Sequence, residues 1–235
     1  MSAPEPKRIA LVGGGGFIGH HLALALKQSG HDVEVIDGFS VNNLVAFVDS
    51  NNTIPNKEIY WKMLNDRILQ LRQNDIPIRM VDARDYHRLC STFAKFRPTV
   101  VVMLAAVSHA DRSNKDPYST FDHSLRTLEN ALDATRTMNL ERFVYFSSSM
   151  VYGNFTQDSV DEKSACDPLG IYGALKFSGE KIVIAYNQVF NTPYTIIRPS
   201  ALYGERCVSR RVAQIFVENA KKKKKITVSG SGEDR

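Results

Sequence analysis

A short apolar run, Ile9-Ala10-Leu11-Val12, passes directly into four consecutive glycines, Gly13 to Gly16, and then into the Ala/Leu-rich segment opened by Phe17-Ile18-Gly19. Few folds accommodate that junction. Gly13, Gly16 and Gly19 recur at every third position, so the turn is tight, a phosphate can approach the backbone, and the following helix can pack closely on the strand. A glycine triplet alone is only a turn signal. Between a strand and a helix it points to a pyrophosphate cradle, and hence to a bound dinucleotide.

The rest of the chain continues that rhythm. Arg8 to Val12, Asp32 to Ile36, Ile76 to Val81, Thr99 to Leu104, Arg142 to Ser147 and Tyr194 to Ile197 read as strands. Amphipathic segments at Phe17 to Ser29, Tyr86 to Phe96, Pro117 to Met138 and Tyr172 to Phe190 supply the crossovers. The fold class is therefore α/β, a Rossmann-type doubly wound parallel sheet. Between Val41 and Asp75 the connection is longer than a simple crossover, and Leu64, Ile68 and Leu71 form an apolar stripe, which predicts an inserted helix behind a loop over the ligand edge. A further strand is expected at Ile226 to Val228.

Composition narrows the function classes. With 235 residues, 43% of them hydrophobic, the chain can build one core and part of a second lobe. The longest apolar stretch, Val100 to Val107, is far short of a bilayer span, and the first residues lack the apolar core of a secretion signal. Cys90, Cys166 and Cys207 are widely spaced without a C-x-x-C pair, so neither a disulfide framework nor a thiolate zinc site is suggested, and a reducing cytoplasm fits. The histidines show no metal-ligand spacing. Much of the net charge of +5 is the run Lys221 to Lys225, read as a solvated helix end; nucleic-acid binding is the alternative, without interleaved aromatics to support it.

Several residues carry candidate chemistry. Asp37 ends the second strand close to the ~20-residue offset at which such folds place a carboxylate on the adenosine ribose; otherwise it forms the turn before Gly38. On the ribose it would repel a 2′-phosphate and favour NAD over NADP. Tyr172 and Lys176 fall on one face of a helix, where an ammonium can ease the ionisation of a phenol, although such a pair is also common on helix surfaces. Ser147, Ser148 and Ser149 follow a strand at the carboxyl edge of the sheet, as substrate-holding hydroxyls or as a strand-end cap. His109 follows the fourth strand and could face a substrate.

Taken in order, these motifs resemble the extended short-chain dehydrogenase/reductase family, in its nucleotide-sugar epimerase and dehydratase branch. The resemblance rests on Gly16 to Gly19, Val81-Asp82-Ala83-Arg84-Asp85, Leu104-Ala105-Ala106, Val151-Tyr152-Gly153, Tyr172 to Lys176, Arg198-Pro199 and Leu202-Tyr203-Gly204. It implies Ser148, Tyr172 and Lys176 as the catalytic set. It implies a cofactor site of Gly13, Gly16, Phe17, Ile18, Gly19 and Asp37, with Asp82 and Ala83 at the adenine. Leu104, Ala105, Ala106, Ser108, His123 and Ser147 would flank the dinucleotide, and Pro199 and Ser200 the nicotinamide, with Tyr172 and Lys176 also touching the cofactor. Ser108, His109, Ser148, Ser149, Met150 and Tyr172 would meet the substrate.

The resemblance further implies a Rossmann domain over residues 1–198 and the start of a smaller, incomplete substrate lobe over 199–235. It implies a homodimer formed through Pro117 to Met138 and Tyr172 to Phe190. Departures from the family pattern bear on the substrate: Met103 replaces a histidine, His123 and Ala201 replace asparagines, and Ser149-Met150 replaces the Asp-Glu pair of the 4,6-dehydratases, which disfavours dehydration. The expectation is an NAD-dependent epimerase of a nucleotide sugar, with no metal, nucleic acid or membrane partner. The alternatives are a keto-sugar reductase or a non-catalytic dinucleotide-binding regulator.

Overall fold

The computed structural model describes residues 5–40, 56–107, 110–155, 158–208 and 212–228. Strands β1 (Arg8–Val12), β2 (Asp32–Asp37), β3 (Ile78–Met80), β4 (Val100–Met103), β5 (Arg142–Phe146) and β6 (Tyr194–Ile197) form one sheet in the order β3-β2-β1-β4-β5-β6. Every pairing is parallel. Strand order reverses between β1 and β4, and the register aligns Val12 with both Ile36 and Met103, so the carboxyl ends open a shared crevice there.

Alternation along the strands builds the two faces. Ala10, Val12, Val101, Met103, Phe143 and Tyr145 pack with Leu89 and Phe93 of α3 (Tyr86–Phe96), Leu128 and Leu132 of α6 (Thr127–Thr135) and Val183 of α7 (Gly170–Phe190). Ile9, Leu11, Val33, Val35 and Val102 face Ala23 of α1 (Phe17–Gln28) and Leu71 of α2 (Lys57–Gln73). Both sides of the sheet are covered, as a parallel sheet requires.

The inserted helix is α2, but its buried stripe is Tyr60, Leu64, Arg67 and Leu71, with Ile68 only partly covered. The loop expected before it lies largely outside the described residues. Pro117 to Met138 reads from sequence as one helix. The structure resolves it into α5 (Pro117–Phe121), a π-helical turn over Asp122–Arg126, and α6. A short α4 (Ala110–Lys115) precedes them and α8 (Val212–Lys221) follows β6. Ile226 to Val228 is not a strand: these residues are exposed and pair with none of the six. Apolar β-branched residues alone do not make a strand when no ladder neighbour is present.

Candidate active site

The glycine turn joins β1 to α1 at the crevice. Gly13 adopts φ +84°, and a Cβ there would lie 2.5 Å from the Ala105 nitrogen, so only glycine lets the turn sit against the end of β4. Leu104 and Ala105 answer by donating their N–H groups to the Val12 carbonyl at 2.8 and 2.9 Å. A Cβ on Gly19 would meet the Gly14 backbone at 2.5 Å, which fixes how closely α1 approaches the turn. Gly16 precedes α1, and no side chain caps the helix, leaving the first-turn amides of Phe17 and Ile18 for an anion.

Asp37 stands at the end of β2. Its Oδ2 accepts the Gly15 N–H at 2.9 Å and its Oδ1 the Phe39 N–H at 2.7 Å. Burial pushes its carboxyl up from the usual value, against the pull of those two donors. The turn-forming role and a place beside the glycine turn are thus both realised. Arg67, which no spacing argument finds, reaches this region from α2. Its Nε and Nη2 donate to the Arg206 carbonyl at 3.1 and 2.5 Å, while its buried Nη1 has no hydrogen-bond partner among the described residues. Burial brings its pKa down to about 10, and Asp37 lies within its electrostatic reach.

Just after β3, Asp82 is gripped through both oxygens by Arg84, whose Nη1 also reaches Asp122 of the π turn at 2.9 Å. The Arg84 bonds hold the Asp82 carboxyl below its usual range. Asn130 fixes the same loop, donating to the carbonyls of Ala83 and Arg84 at 2.9 Å each. His123 sits in the π turn with its pKa lowered, first by burial and then by Arg84. Ser108 and His109 lie outside the described residues.

The third cluster surrounds the end of β5. Ser148 is buried, and its Oγ accepts the Met150 N–H at 3.2 Å, capping a short 3-10 turn over Ser149–Val151. Because that bond uses a lone pair, the hydroxyl hydrogen remains available to another acceptor. Tyr172 lies in the first turn of α7, within electrostatic reach of Tyr145. Lys176 follows one turn later and is buried; its Nζ donates to the Phe146 carbonyl at 2.7 Å and lies 5.3 Å from the centre of the Tyr145 ring. Burial lowers the Lys176 pKa to about 8.

Ser147, expected beside the dinucleotide, has its hydroxyl engaged elsewhere: it donates to Glu180 Oε1 at 2.5 Å. Glu180 also receives Arg198 Nε at 2.9 Å and Nη2 at 2.7 Å. The Ser149 N–H donates to the Pro199 carbonyl at 3.0 Å, which brings Pro199 and the exposed Ser200 to this edge. Sequence reasoning missed Glu180, although a carboxylate one turn beyond Lys176 on an otherwise apolar helix face was a usable signal.

Similarities to known proteins bear on these clusters. Protein CapI of Staphylococcus aureus is 30% identical over 198 residues, covering 84% of this chain and 54% of the relative. A dTDP-D-glucose 4,6-dehydratase of Dictyostelium discoideum is 27% identical over 245 residues, covering 97% of this chain and 51% of the relative. The chain thus spans about half the length of these curated relatives. A crystal structure of UDP-glucuronic acid 4-epimerase from Bacillus cereus, in complex with UDP-glucuronic acid and NAD, superposes with a TM-score of 0.80 at 27% identity, over 95% of this chain and 66% of that one. The model of the NAD dependent epimerase/dehydratase family matches residues 9–235, so the glycine turn, the Asp37 edge and the Ser148, Tyr172 and Lys176 cluster all fall within it, and the chain belongs to that family.

Proposed function

We propose that this chain is an NAD-dependent epimerase that inverts a carbon of a nucleotide-activated sugar through a transient keto intermediate. The observation that carries the reading is the placing of Tyr172 and Lys176 in successive turns of α7, beside the strand end that bears Ser148. The residues present fit a dinucleotide. α1 offers an uncapped N-terminus at a turn into which a phosphate can come close, and Asp37 stands at the neighbouring strand end.

A bound NAD would supply a hydride acceptor and donor for the sugar carbon. The chain handles the proton. Tyr172 as phenolate takes it from the sugar hydroxyl and gives it back. Ser148 donates to the same oxygen, using the hydrogen that its Met150 bond leaves available. Lys176 stabilises the phenolate and holds the nicotinamide ribose. Ser149 and Met150 supply neither acid nor base at the position where dehydratases carry Asp-Glu, which favours epimerisation over loss of water. That the Bacillus cereus neighbour is a 4-epimerase supports C4 as the inverted carbon.

In this reading residues 1–198 form the dinucleotide domain, and residues 199–235, with exposed Leu202 and Tyr203, open the substrate lobe. Exposed Phe121, Val189 and Phe190 support a homodimer built on α5, α6 and α7. Cys90, Cys166 and Cys207 form no disulfide among the described residues, which suits a cytoplasmic setting. Among the described residues no helix is long and apolar enough to cross a membrane.

The test is incubation with NAD and a panel of UDP- and dTDP-sugars, followed by NMR and by absorbance of the reduced dinucleotide. Inverted product without net reduction is expected. Stoichiometric consumption of dinucleotide, or a dehydrated product, contradicts the reading.

A further inference from the structure

Glu180 is almost fully buried, at 1% exposure, one turn beyond Lys176 on the helix that also carries Tyr172. A carboxylate in such a place is retained at a cost unless it is fully paired. Here it is. Oε1 accepts both the Ser147 hydroxyl at 2.5 Å and Arg198 Nε at 2.9 Å, and Oε2 accepts Arg198 Nη2 at 2.7 Å. Arg198 in turn donates to the Tyr152 hydroxyl at 3.0 Å and to the Glu162 carbonyl at 3.3 Å, with its guanidinium 5.0 Å from the centre of the Tyr152 ring.

The partners of Glu180 flank the reacting groups rather than being reacting groups themselves. Ser147 precedes Ser148, Tyr152 closes the short turn after it, and Arg198 precedes Pro199 and Ser200. Backbone bonds stitch the same two segments together: Ser147 N–H to the Ile197 carbonyl at 2.8 Å and Ser149 N–H to the Pro199 carbonyl at 3.0 Å. Neither of these ties reaches α7. The Lys176 Nζ of α7 bonds to the Phe146 carbonyl just before the first segment, whereas Glu180 bonds to a side chain of each segment at once.

We propose that Glu180 is a positioning residue, a single carboxylate that holds the Ser148 turn and the Arg198-Pro199 segment in register with Tyr172 and Lys176. The inference rests on the function proposed above. Misplacing a reacting group by about an ångström costs on the order of a hundredfold in rate, so a loosened register shows in turnover before it shows in ligand affinity. Ser147 is accordingly part of this strut, its hydroxyl hydrogen given to Glu180.

The test is a double-mutant cycle of Ser147→Ala and Glu180→Gln, read in two ways. Without any substrate, amide hydrogen exchange of the NAD complex should rise in residues 147–152 and 198–200 in both variants and stay as in wild type elsewhere. Unchanged exchange in those two segments overturns the proposal, whatever reaction the protein performs. With a substrate that the wild type converts, kcat should fall about tenfold or more in each single variant while KM and NAD affinity stay within about threefold, and the double variant should be no worse than the poorer single, since the residues act as one unit. Additive losses, or losses of kcat and NAD affinity in proportion to a lowered melting temperature, also overturn it. A wild type that converts no nucleotide sugar speaks against the proposed reaction, and the exchange measurement still decides the role of Glu180.

Discussion

Replacing Lys176 with methionine should make the folded chain more stable while removing its activity. The ammonium is buried, and its pKa is brought down from 10.5 to about 8 by desolvation. At roughly 1.4 kcal/mol per pKa unit, keeping the charge in the folded state at neutral pH costs about 3 kcal/mol relative to the unfolded chain. Methionine keeps the apolar stem but loses the 2.7 Å bond to the Phe146 carbonyl, worth on the order of 1–3 kcal/mol. The net expectation at pH 7 is a gain of up to about 2 kcal/mol, or up to roughly 8 °C in Tm for a chain of this size. The sign with pH follows from the direction of the shift. Between pH 8 and 10.5 the unfolded chain holds a proton that the folded chain has released, so wild-type stability rises through that window and the advantage of Lys176→Met shrinks. Urea unfolding without added dinucleotide at pH 7, 8, 9 and 10 measures this. A variant less stable than wild type at pH 7, or a difference that stays flat from pH 8 to 10, refutes the picture of a costly buried ammonium.

NAD should bind at least about tenfold more tightly than NADP, since a 2′-phosphate 4 Å from the Asp37 carboxylate meets roughly 4 kcal/mol of repulsion at an effective dielectric of about 20, part of which Arg67 offsets. Titration calorimetry on wild type and Asp37→Asn reads this, and equal affinities in wild type would remove Asp37 from the ribose. Tyr172→Phe should lower turnover by a factor of about 10² to 10⁴ with NAD affinity nearly intact, because it deletes the proton-transferring hydroxyl and keeps the ring; near-normal turnover would mean the phenol is not the base. Sedimentation velocity at micromolar concentration should show a dimer that charged substitutions at Val189 and Phe190 dissociate, and a monomeric wild type would contradict the helix-face interface.

The architecture was legible because its signals are local. Short β-branched apolar runs and the glycine turn placed all six strands, and Gly13 was readable because backbone contact with Ala105 leaves no room for a side chain. Strand ends were less so: Ile76 to Val81 shrinks to Ile78–Met80 because β3 is an edge strand with one neighbour, and Ile226 to Val228 finds none. Along Pro117 to Met138, helical periodicity gives no hint of the π turn at Asp122–Arg126, where Asp122 turns to Arg84 and Thr127 donates back to the His123 carbonyl at 2.8 Å. Of the residues announced by motif spacing, Asp37 lies at the end of β2, Ser148 just after β5, and Tyr172 and Lys176 in the first turns of α7. The polar residues around them, Arg67, Asn130, Glu180 and Arg198, make their bonds across long sequence separations. Spacing is blind to such pairs: Ser147 looks like one more strand-end hydroxyl until Glu180 is seen beside it.

In the proposed epimerisation, hydride leaves a sugar carbon and returns to that same carbon within one bound complex. The most direct measurement follows UDP-glucose and UDP-glucuronic acid carrying deuterium at C4, incubated with the protein and NAD and analysed by NMR. A C4-inverted product that retains its deuterium is expected, with no net accumulation of reduced dinucleotide. Washout of the label, build-up of reduced dinucleotide, or loss of water from the sugar would contradict it.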